Sequence, residues 1–169
     1  MGRDFAIIPG SIFLTRNPMA LSRGINAVQR VWSKDHKSKY SHAGILIDEF
    51  GTTFESLWTV KSQNLFKAYA GCQVLIAHND LITERVFRKA YEFVHAAHHK
   101  DFYPFYRLIF HIIPPLAKLS AGNVVCSELA AKYLWQAEVL NFYNGCNPND
   151  LHHMVCFHGH WIVDFEGML

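Results

Sequence analysis

Apolar residues recur along this chain with two spacings, one typical of short strands and one typical of amphipathic helices. Short apolar runs bounded by turn residues predict strands at 12–14, 43–47, 52–60, 73–77 and 161–163. Spacings of three and four residues predict helices at 22–34, from Thr83 to about His99, and from Cys126 to about Val139. This mixture of helices and antiparallel-type strands indicates one α+β domain spanning residues 1–169.

The local signals also predict how these elements begin and which faces they bury. The segment 52–60 is expected to form a hairpin with 43–47 through the turn at 48–51, and Asn147-Pro148-Asn149-Asp150 is expected to be a loop. Thr83 is the expected cap of its helix. The apolar positions of the two later helices are Val86, Phe87, Ala90, Phe93, Val94 and Ala97, then Leu129, Ala130, Tyr133, Leu134 and Ala137.

The composition indicates a globular protein and argues against a nucleic-acid-binding one. Of 169 residues, 50% are hydrophobic, and the formal net charge of +2 is too small to indicate a nucleic-acid partner. Residues 16–39 are basic, which suits a solvated helix face, an anionic substrate or peripheral membrane contact. Neither a signal peptide nor an apolar run of membrane-spanning length is visible. The four cysteines form no C-x-x-C pair, so we expect free thiols and a cytoplasmic location.

Three residues far apart in the sequence suggest a nucleophile site. Cys126 stands at the predicted opening of a helix, where unpaired N–H groups and the positive dipole end stabilise a thiolate. His42 precedes a predicted strand and would take and return the thiol proton. Glu55 follows thirteen residues later across the predicted hairpin, where the period of two puts both side chains within reach. These residues predict a cysteine hydrolase or acyl transferase.

Five short motifs, in this order and across nearly the whole chain, resemble one family. The chain is similar to the circularly permuted NlpC/P60 cysteine hydrolases of the YiiX/YebB-like group, in the papain-like superfamily. It departs from their pattern with Gly10-Ser11 in place of Gly-Asp, and with Asp101-Phe102-Tyr103-Pro104 in place of a Tyr-Asp pair. The motifs that carry the resemblance are Pro9-Gly10-Ser11-Ile12-Phe13-Leu14-Thr15-Arg16, Tyr40-Ser41-His42-Ala43-Gly44, Phe54-Glu55-Ser56, Val125-Cys126-Ser127-Glu128-Leu129 and Asn147-Pro148-Asn149-Asp150-Leu151.

The resemblance implies a permuted papain-like fold, with an antiparallel sheet or small barrel packed against helices and the cysteine at a helix N-terminus. It implies Cys126 as nucleophile, His42 as general base and acid, and Glu55 as the residue that orients the imidazole. The candidate oxyanion and substrate-binding residues are Tyr103, Ser127 and Tyr40. Family precedent suggests amide bonds as the substrate, such as those of peptidoglycan-type peptides, with no cofactor.

Other interpretations remain open at this point. The apolar segment 102–119 is either core or a hydrophobic wall beside the thiol, and the second option would suit a thiol-dependent acyltransferase or phospholipase. A catalytically silent binding module, in a virus or mobile element, is the third interpretation. The histidine-rich C-terminal segment would allow a metal site if Cys156, His158 and His160 alternated on a strand, but the expected metal is none. Glu128 is expected to interact with the helix dipole or to have a structural bond, and Asp150 to cap a helix or anchor a loop. The sequence predicts no oligomeric state.

Overall fold

A computed structural model of the chain describes residues 5–16, 39–56, 60–98 and 126–169. In these ranges an antiparallel sheet has the strand order β4-β3-β2-β1-β5-β6 and is open, with β4 and β6 at its edges. The antiparallel sheet predicted from the sequence is therefore confirmed, in its open form. The six strands are β1 (Ile12–Thr15), β2 (His42–Leu46), β3 (Thr52–Ser56), β4 (Val60–Asn64), β5 (Gln73–Asn79) and β6 (Trp161–Met168).

Four helices accompany the sheet in the described ranges: α1 (Leu65–Ala68), α2 (Glu84–His98), α3 (Cys126–Gln136) and α4 (Pro148–Phe157). Helix α3 packs on β2 and β3, α2 packs against α3, and α4 lies against α3 and β6. None of the helices in the described ranges is long and apolar enough to cross a membrane. The α+β class predicted from the sequence is confirmed.

The period of two in the strands divides the core between the two faces of the sheet. In β1, Ile12 and Leu14 belong to the cluster that contains α2 and α3, whereas Phe13 belongs to a smaller cluster beside α1. In β2, Ala43 and Ile45 lie on the α3 side. The same alternation assigns His42 to the face of Phe13, which is the face where the polar site forms.

Helix α2 begins as the sequence predicts. Thr83 Oγ1 accepts a hydrogen bond from the Val86 N–H at 3.4 Å, as an N-cap residue does. The predicted apolar positions that lie in α3 are all buried, and Ala137, one residue beyond its end at Gln136, is buried as well. In α2 the prediction is wrong at two positions: Phe93 is 42% exposed and Ala97 is also exposed, while His98 is buried in their place.

The single strand predicted over 52–60 is wrong. Strand β3 ends at Ser56, and Val60 begins a new strand that pairs back on it, with Ser56 opposite Val60. Strand β4 continues as Lys61-Ser62-Gln63-Asn64, a polar edge strand without an apolar run. Because edge strands need bury little surface, hydrophobic periodicity does not reveal them.

The loop predicted at 147–150 is also wrong, because these residues begin α4. Asn147 is the N-cap and accepts hydrogen bonds from the N–H groups of Asn149 (2.9 Å) and Asp150 (3.0 Å). Asp150 Oδ2 accepts from the Asn147 N–H at 2.9 Å, which completes a capping box with Pro148 in the first turn. The predicted capping role of Asp150 is confirmed.

Helix α4 also overturns the strand arrangement that a C-terminal metal site would need. Cys156 lies in the helix, His158 is its C-cap, and His160 has a positive φ of 71° before β6 begins at Trp161. The three side chains therefore do not alternate on one strand. The predictions for 22–34 and for 102–119, Tyr103 included, lie outside the described residues.

Gly44 sits where three strands approach closely. It pairs with Phe13 of β1, and continuing the β2–β3 register by one residue puts it opposite Glu55. A Cβ atom at Gly44 would lie 2.5 Å from Phe13 Cε1 and 3.0 Å from Glu55 Cβ. Glycine at this position therefore leaves room for the Phe13 ring and the Glu55 side chain.

We expect Gly44→Ala to destabilise the fold by about 1–3 kcal/mol, because a methyl group here displaces the Phe13 ring and strand β3. Gly159→Ala is the matched control, since a Cβ at Gly159 meets no atom within 4 Å. The control should change the free energy of unfolding by less than about 0.5 kcal/mol. Urea unfolding followed by circular dichroism measures both variants, and equal stabilities would contradict this account of Gly44.

Candidate active site

Cys126 is the first described residue of α3, and only 7% of it is exposed. Its sulfur accepts hydrogen bonds from the backbone N–H groups of Ala43 and Ser127. The Ser127 N–H is available because the first turn of a helix has no carbonyl four residues earlier to accept it. Burial alone would raise the pKa of Cys126, but the charge of His42, its hydrogen bond and these two donors lower the pKa. The sulfur therefore has the surroundings of a thiolate.

His42 connects the thiol to a carboxylate. Its Nε2 donates to Glu55 Oε2 at 2.5 Å, which leaves Nδ1 as the ring nitrogen that serves Cys126. Burial disfavours the charged ring, yet the negative charge of Cys126, the hydrogen bond with it and the contact with Glu55 raise the pKa of His42. The lowered pKa of the thiol and the raised pKa of the ring together favour a thiolate–imidazolium pair.

Glu55 is fully buried and is surrounded by donors. Besides His42, Thr53 Oγ1 donates to Oε1 at 2.5 Å, and the Tyr69 hydroxyl donates to Oε2. Burial would raise the pKa of Glu55, but these hydrogen bonds and the charge of His42 lower it. Lys61 is the cross-strand neighbour of Glu55, yet the carboxylate turns to the imidazole. Glu55 is therefore held as an anion.

Two aromatic rings enclose the imidazole. The Tyr69 ring stacks on His42 with centroids 5.9 Å apart and an interplanar angle of 29°, and the Phe13 ring lies 6.0 Å from His42. Phe13 and Tyr69 also contact each other at 5.5 Å. These contacts restrict rotation of the imidazole about χ2, so the ring stays aligned between the sulfur and the carboxylate.

The prediction that the side chains of His42 and Glu55 contact each other is thus confirmed by their hydrogen-bond distance. Cys126 also hydrogen-bonds with His42, so the three candidate residues lie together. Their catalytic roles remain a prediction. Thr53 and Tyr69 were not predicted as site residues from the sequence. Thr53 could have been found, because it lies two residues before Glu55 on the same strand face. Tyr69 carries no such signal, since a turn after α1 brings it to the site.

The candidate substrate-binding residues have other observed contacts. The Ser127 hydroxyl donates to the Cys146 carbonyl oxygen at 2.7 Å, while its backbone N–H bonds to the thiol sulfur. The Tyr40 hydroxyl donates to Glu166 Oε1 at 2.8 Å, which links β6 to the segment just before β2. Tyr103 lies outside the described residues. A role of these three residues in substrate binding stays a prediction.

Glu128 has the structural bond that the sequence suggested. Its Oε1 accepts the Gly145 N–H at 3.0 Å, which ties the first turn of α3 to the loop before α4. Gly145 has a positive φ of 74°, a conformation that glycine adopts without strain. This contact supports the helix end that presents Cys126.

The other three cysteines lack the surroundings of Cys126. All four are free thiols, and Cys72 and Cys146 are buried. Burial and the nearby charges of Asp150 and Glu128 raise the pKa of Cys146. Cys156 is exposed, and partial burial together with the charge of Glu166 raises its pKa as well. Among the pKa shifts resolved for these thiols, only that of Cys126 is downward.

Comparison with solved structures identifies the fold. No protein-family model matches the sequence, and no curated protein matches it. The chain is similar to the crystal structure of metalloprotein YiiX from Escherichia coli O157:H7, with a TM-score of 0.65 over 95% of this chain and 98% of that one. The sequences are 13% identical, so the likeness concerns the fold.

The name of that structure calls YiiX a metalloprotein, and this describes YiiX and not the present chain. In 5–16, 39–56, 60–98 and 126–169 of this chain, no group of three or more His, Cys, Asp and Glu side chains is arranged so that it could hold a metal ion. The imidazole of His42 already bonds the carboxylate and the thiol, one with each nitrogen, so the site residues do not fit a metal. The chain shares the α+β fold of the YiiX structure, and the permuted papain-like interpretation stays a prediction.

Proposed function

We propose that this protein is a cysteine hydrolase that cleaves an amide bond through an acyl enzyme on Cys126. The observation that supports this most is the continuous path from the Cys126 sulfur through His42 to Glu55. An imidazole with a buried carboxylate on one nitrogen and a thiol on the other has the arrangement of a nucleophile, a base and an orienting group. The YiiX-like fold is compatible with this chemistry.

In the proposed first step, the Cys126 thiolate attacks the carbonyl carbon of the substrate, and a carbon–sulfur bond forms. The carbon–nitrogen bond then breaks, and the amine leaves with the proton that His42 held. Glu55 stays ionised and stabilises the imidazolium until that transfer. We assign the backbone N–H of Cys126 to the oxyanion, because the Ser127 N–H already bonds the sulfur.

The second step regenerates the thiol. Neutral His42 takes a proton from a water molecule, the resulting hydroxide adds to the thioester carbonyl, and the carbon–sulfur bond breaks. The products are a carboxylic acid, which releases its remaining proton to solvent, and the Cys126 thiolate beside protonated His42. The buried carboxylate of Glu55 keeps Nε2–H directed away from the reacting atoms throughout. Neither step needs a cofactor.

The two rival interpretations differ in what they require of these residues. A silent binding module would not need an imidazole that bonds both the thiol and a buried carboxylate. An acyltransferase or phospholipase would use the same three residues on a lipid ester. The segment 102–119, on which that choice depended, lies outside the described residues. The amide substrate is therefore proposed from the resemblance.

Trapping the acyl enzyme tests the proposal. Wild-type protein, exposed to bacterial cell extract and quenched in acid, should gain a covalent mass that peptide mapping assigns to Cys126. Cys126→Ala should gain none, and Cys156→Ser, which removes the exposed thiol, should behave as the wild type. A peptidyl mass supports the amide substrate and a fatty-acyl mass overturns it in favour of the lipid alternative. An adduct that persists in Cys126→Ala overturns both.

A further inference from the structure

We infer that Tyr69 is a positioning residue of the proposed reaction, which holds the Glu55 carboxylate ionised and the His42 ring in its working plane. The inference rests on the proposed function for its catalytic meaning, and on the contacts of Tyr69 with Glu55 and His42 for its physical content. Tyr69 touches both members of the His42–Glu55 pair, through its hydroxyl and through its ring.

The hydroxyl acts on the carboxylate oxygen that the imidazole uses. Glu55 Oε2 accepts from His42 Nε2 and from the Tyr69 hydroxyl, while Oε1 accepts from Thr53. Three donors on one buried carboxylate stabilise its charged form over its neutral form. Burial and the charge of Glu55 raise the pKa of Tyr69, so its hydroxyl remains a donor across the pH range in which His42 and Cys126 titrate.

The ring acts on the imidazole. Tyr69 covers one face of His42 in a stacked arrangement, and Phe13 contacts both rings. The side chain of Tyr69 is 3% exposed, so the contact is closed to water. Only the hydroxyl contact would be lost in Tyr69→Phe, whereas Tyr69→Leu would remove both contacts.

The backbone around Tyr69 makes it a firm support. The Tyr69 N–H donates to the Leu65 carbonyl at 2.9 Å, and its carbonyl accepts the Cys72 N–H at 3.0 Å. Gln63 Nε2 lies 3.5 Å from its hydroxyl oxygen. Since the residue is fixed on both sides by main-chain bonds, its hydroxyl and ring have little freedom to leave the site.

The titratable groups that face Glu55 determine what Tyr69→Phe should do. They are His42 on β2, which also contacts Cys126 on α3, Tyr69 itself and the cross-strand neighbour Lys61. Loss of the hydroxyl removes one donor from the anion, so Glu55 becomes protonated at a higher pH. A neutral Glu55 holds the Nε2–H of His42 less firmly, so the ring can turn away from Cys126. The thiolate then loses the partner that lowers its pKa and takes up its proton at a higher pH.

The experiment is the pH profile of Cys126 alkylation by iodoacetamide, measured by peptide mass spectrometry from acid to neutral pH. The acidic limb of this profile is the pH range in which the alkylation rate falls as the thiolate becomes protonated. We expect Tyr69→Phe to shift the midpoint of this limb to a higher pH, by about one unit. Tyr133→Phe is the matched control, because it removes another buried tyrosine hydroxyl. That hydroxyl donates to the Gly10 carbonyl oxygen at 3.0 Å and has no hydrogen bond with Glu55 among the described residues. Its profile should coincide with that of the wild type.

An acidic limb of Tyr69→Phe that coincides with the wild type, even with lowered thermal stability, would show a structural role only and overturn the inference. Should the variant not fold, 3-fluorotyrosine incorporated into the wild type gives the reverse test, because a more acidic phenol is a stronger donor. The limb should then move to lower pH, and an unmoved limb overturns the inference. Because alkylation needs no substrate, a shifted limb without any turnover would refute the proposed function and leave the inference standing.

Discussion

Replacing His42 by alanine is expected to slow alkylation of Cys126 at about pH 6 by about 100-fold. The reacting species is the thiolate, and in the wild type the imidazolium of His42 lowers the pKa of Cys126. Without the ring, a nearly buried thiol would be protonated at this pH, because burial raises its pKa. The loss in thiolate fraction exceeds the gain in intrinsic nucleophilicity of a more basic sulfur.

Peptide mass spectrometry of the iodoacetamide-treated protein measures this effect at each cysteine. Cys126→Ala should lose the label acquired near neutral pH, and Cys156, whose pKa is raised, serves as the internal reference that reacts only in alkali. His78→Ala is the matched control, because His78 Nδ1 also lies 2.9 Å from a carboxylate, that of Asp164, on the β5–β6 pair. Equal labelling of Cys126 in wild type and His42→Ala would refute the ion pair.

The pH range of reactivity follows from the directions of the two shifts. The pKa of Cys126 is lowered, so thiolate appears at a pH below that of an ordinary thiol. The pKa of His42 is raised, so the ring stays protonated beyond the usual range of histidine. The ion pair exists between these limits. Alkylation should therefore be nearly constant across neutral pH and fall only on the acidic side.

Replacing Glu55 by alanine is expected to destabilise the protein by about 3–5 kcal/mol at neutral pH, because it leaves a buried charge without its partner. The imidazolium of His42 would lose its acceptor, and the hydroxyls of Thr53 and Tyr69 would lose theirs. Glu55→Gln keeps the shape and one acceptor oxygen, so its loss should be smaller. Urea unfolding monitored by circular dichroism gives the free energies.

The pH dependence of this loss has a definite sign. The pKa of Glu55 is lowered in the folded protein, so its contribution is present above the pKa of an unfolded glutamate and disappears as the pH falls through the folded value. The difference between wild type and Glu55→Ala should therefore shrink in acid. Glu84→Ala is the control, because this exposed side chain pairs with Arg88 four residues along α2 and lies at the surface. A loss as small as the control's would refute the buried-anion assignment.

His42 makes a stability contribution of the opposite sign. Its pKa is raised by folding, so the contribution is complete below the unfolded value and is lost as the pH rises through the folded value. Glu55 and His42 together therefore favour the folded state most strongly between the acid and alkaline limits. The same interactions that stabilise this pair in the folded protein also stabilise the thiolate of Cys126 before substrate binds.

Several features of the site could be read from the sequence because they depend on short stretches of chain. The turn at 48–51 is encoded by Asp48, whose Oδ1 accepts the N–H groups of Phe50 and Thr52, and by Gly51 with its φ of 84°. Alternation then puts His42 and Glu55 on the same sheet face. The buried stripe of α3 is likewise visible in its spacing of three and four residues.

Elements whose local signals are weak or ambiguous were not predicted. Strand β4 has little apolar content, and its place is determined by hydrogen bonds with β3. The start of α4 carries both loop-type and cap-type residues, and only the observed capping box decides between them. Where the same residues suit two local structures, packing makes the choice.

By itself, the sequence determined that His42 and Glu55 share a face and that Cys126 opens a helix, since backbone periodicity and helix capping act over a few residues. Only the tertiary structure decided that Tyr69 would stack on His42, that Thr53 and Tyr69 would both donate to Glu55, and that the main-chain N–H of Ala43 would reach the Cys126 sulfur. These contacts join separate elements. Their geometry depends on how α1, α3 and the sheet pack together, which no local pattern of residues specifies.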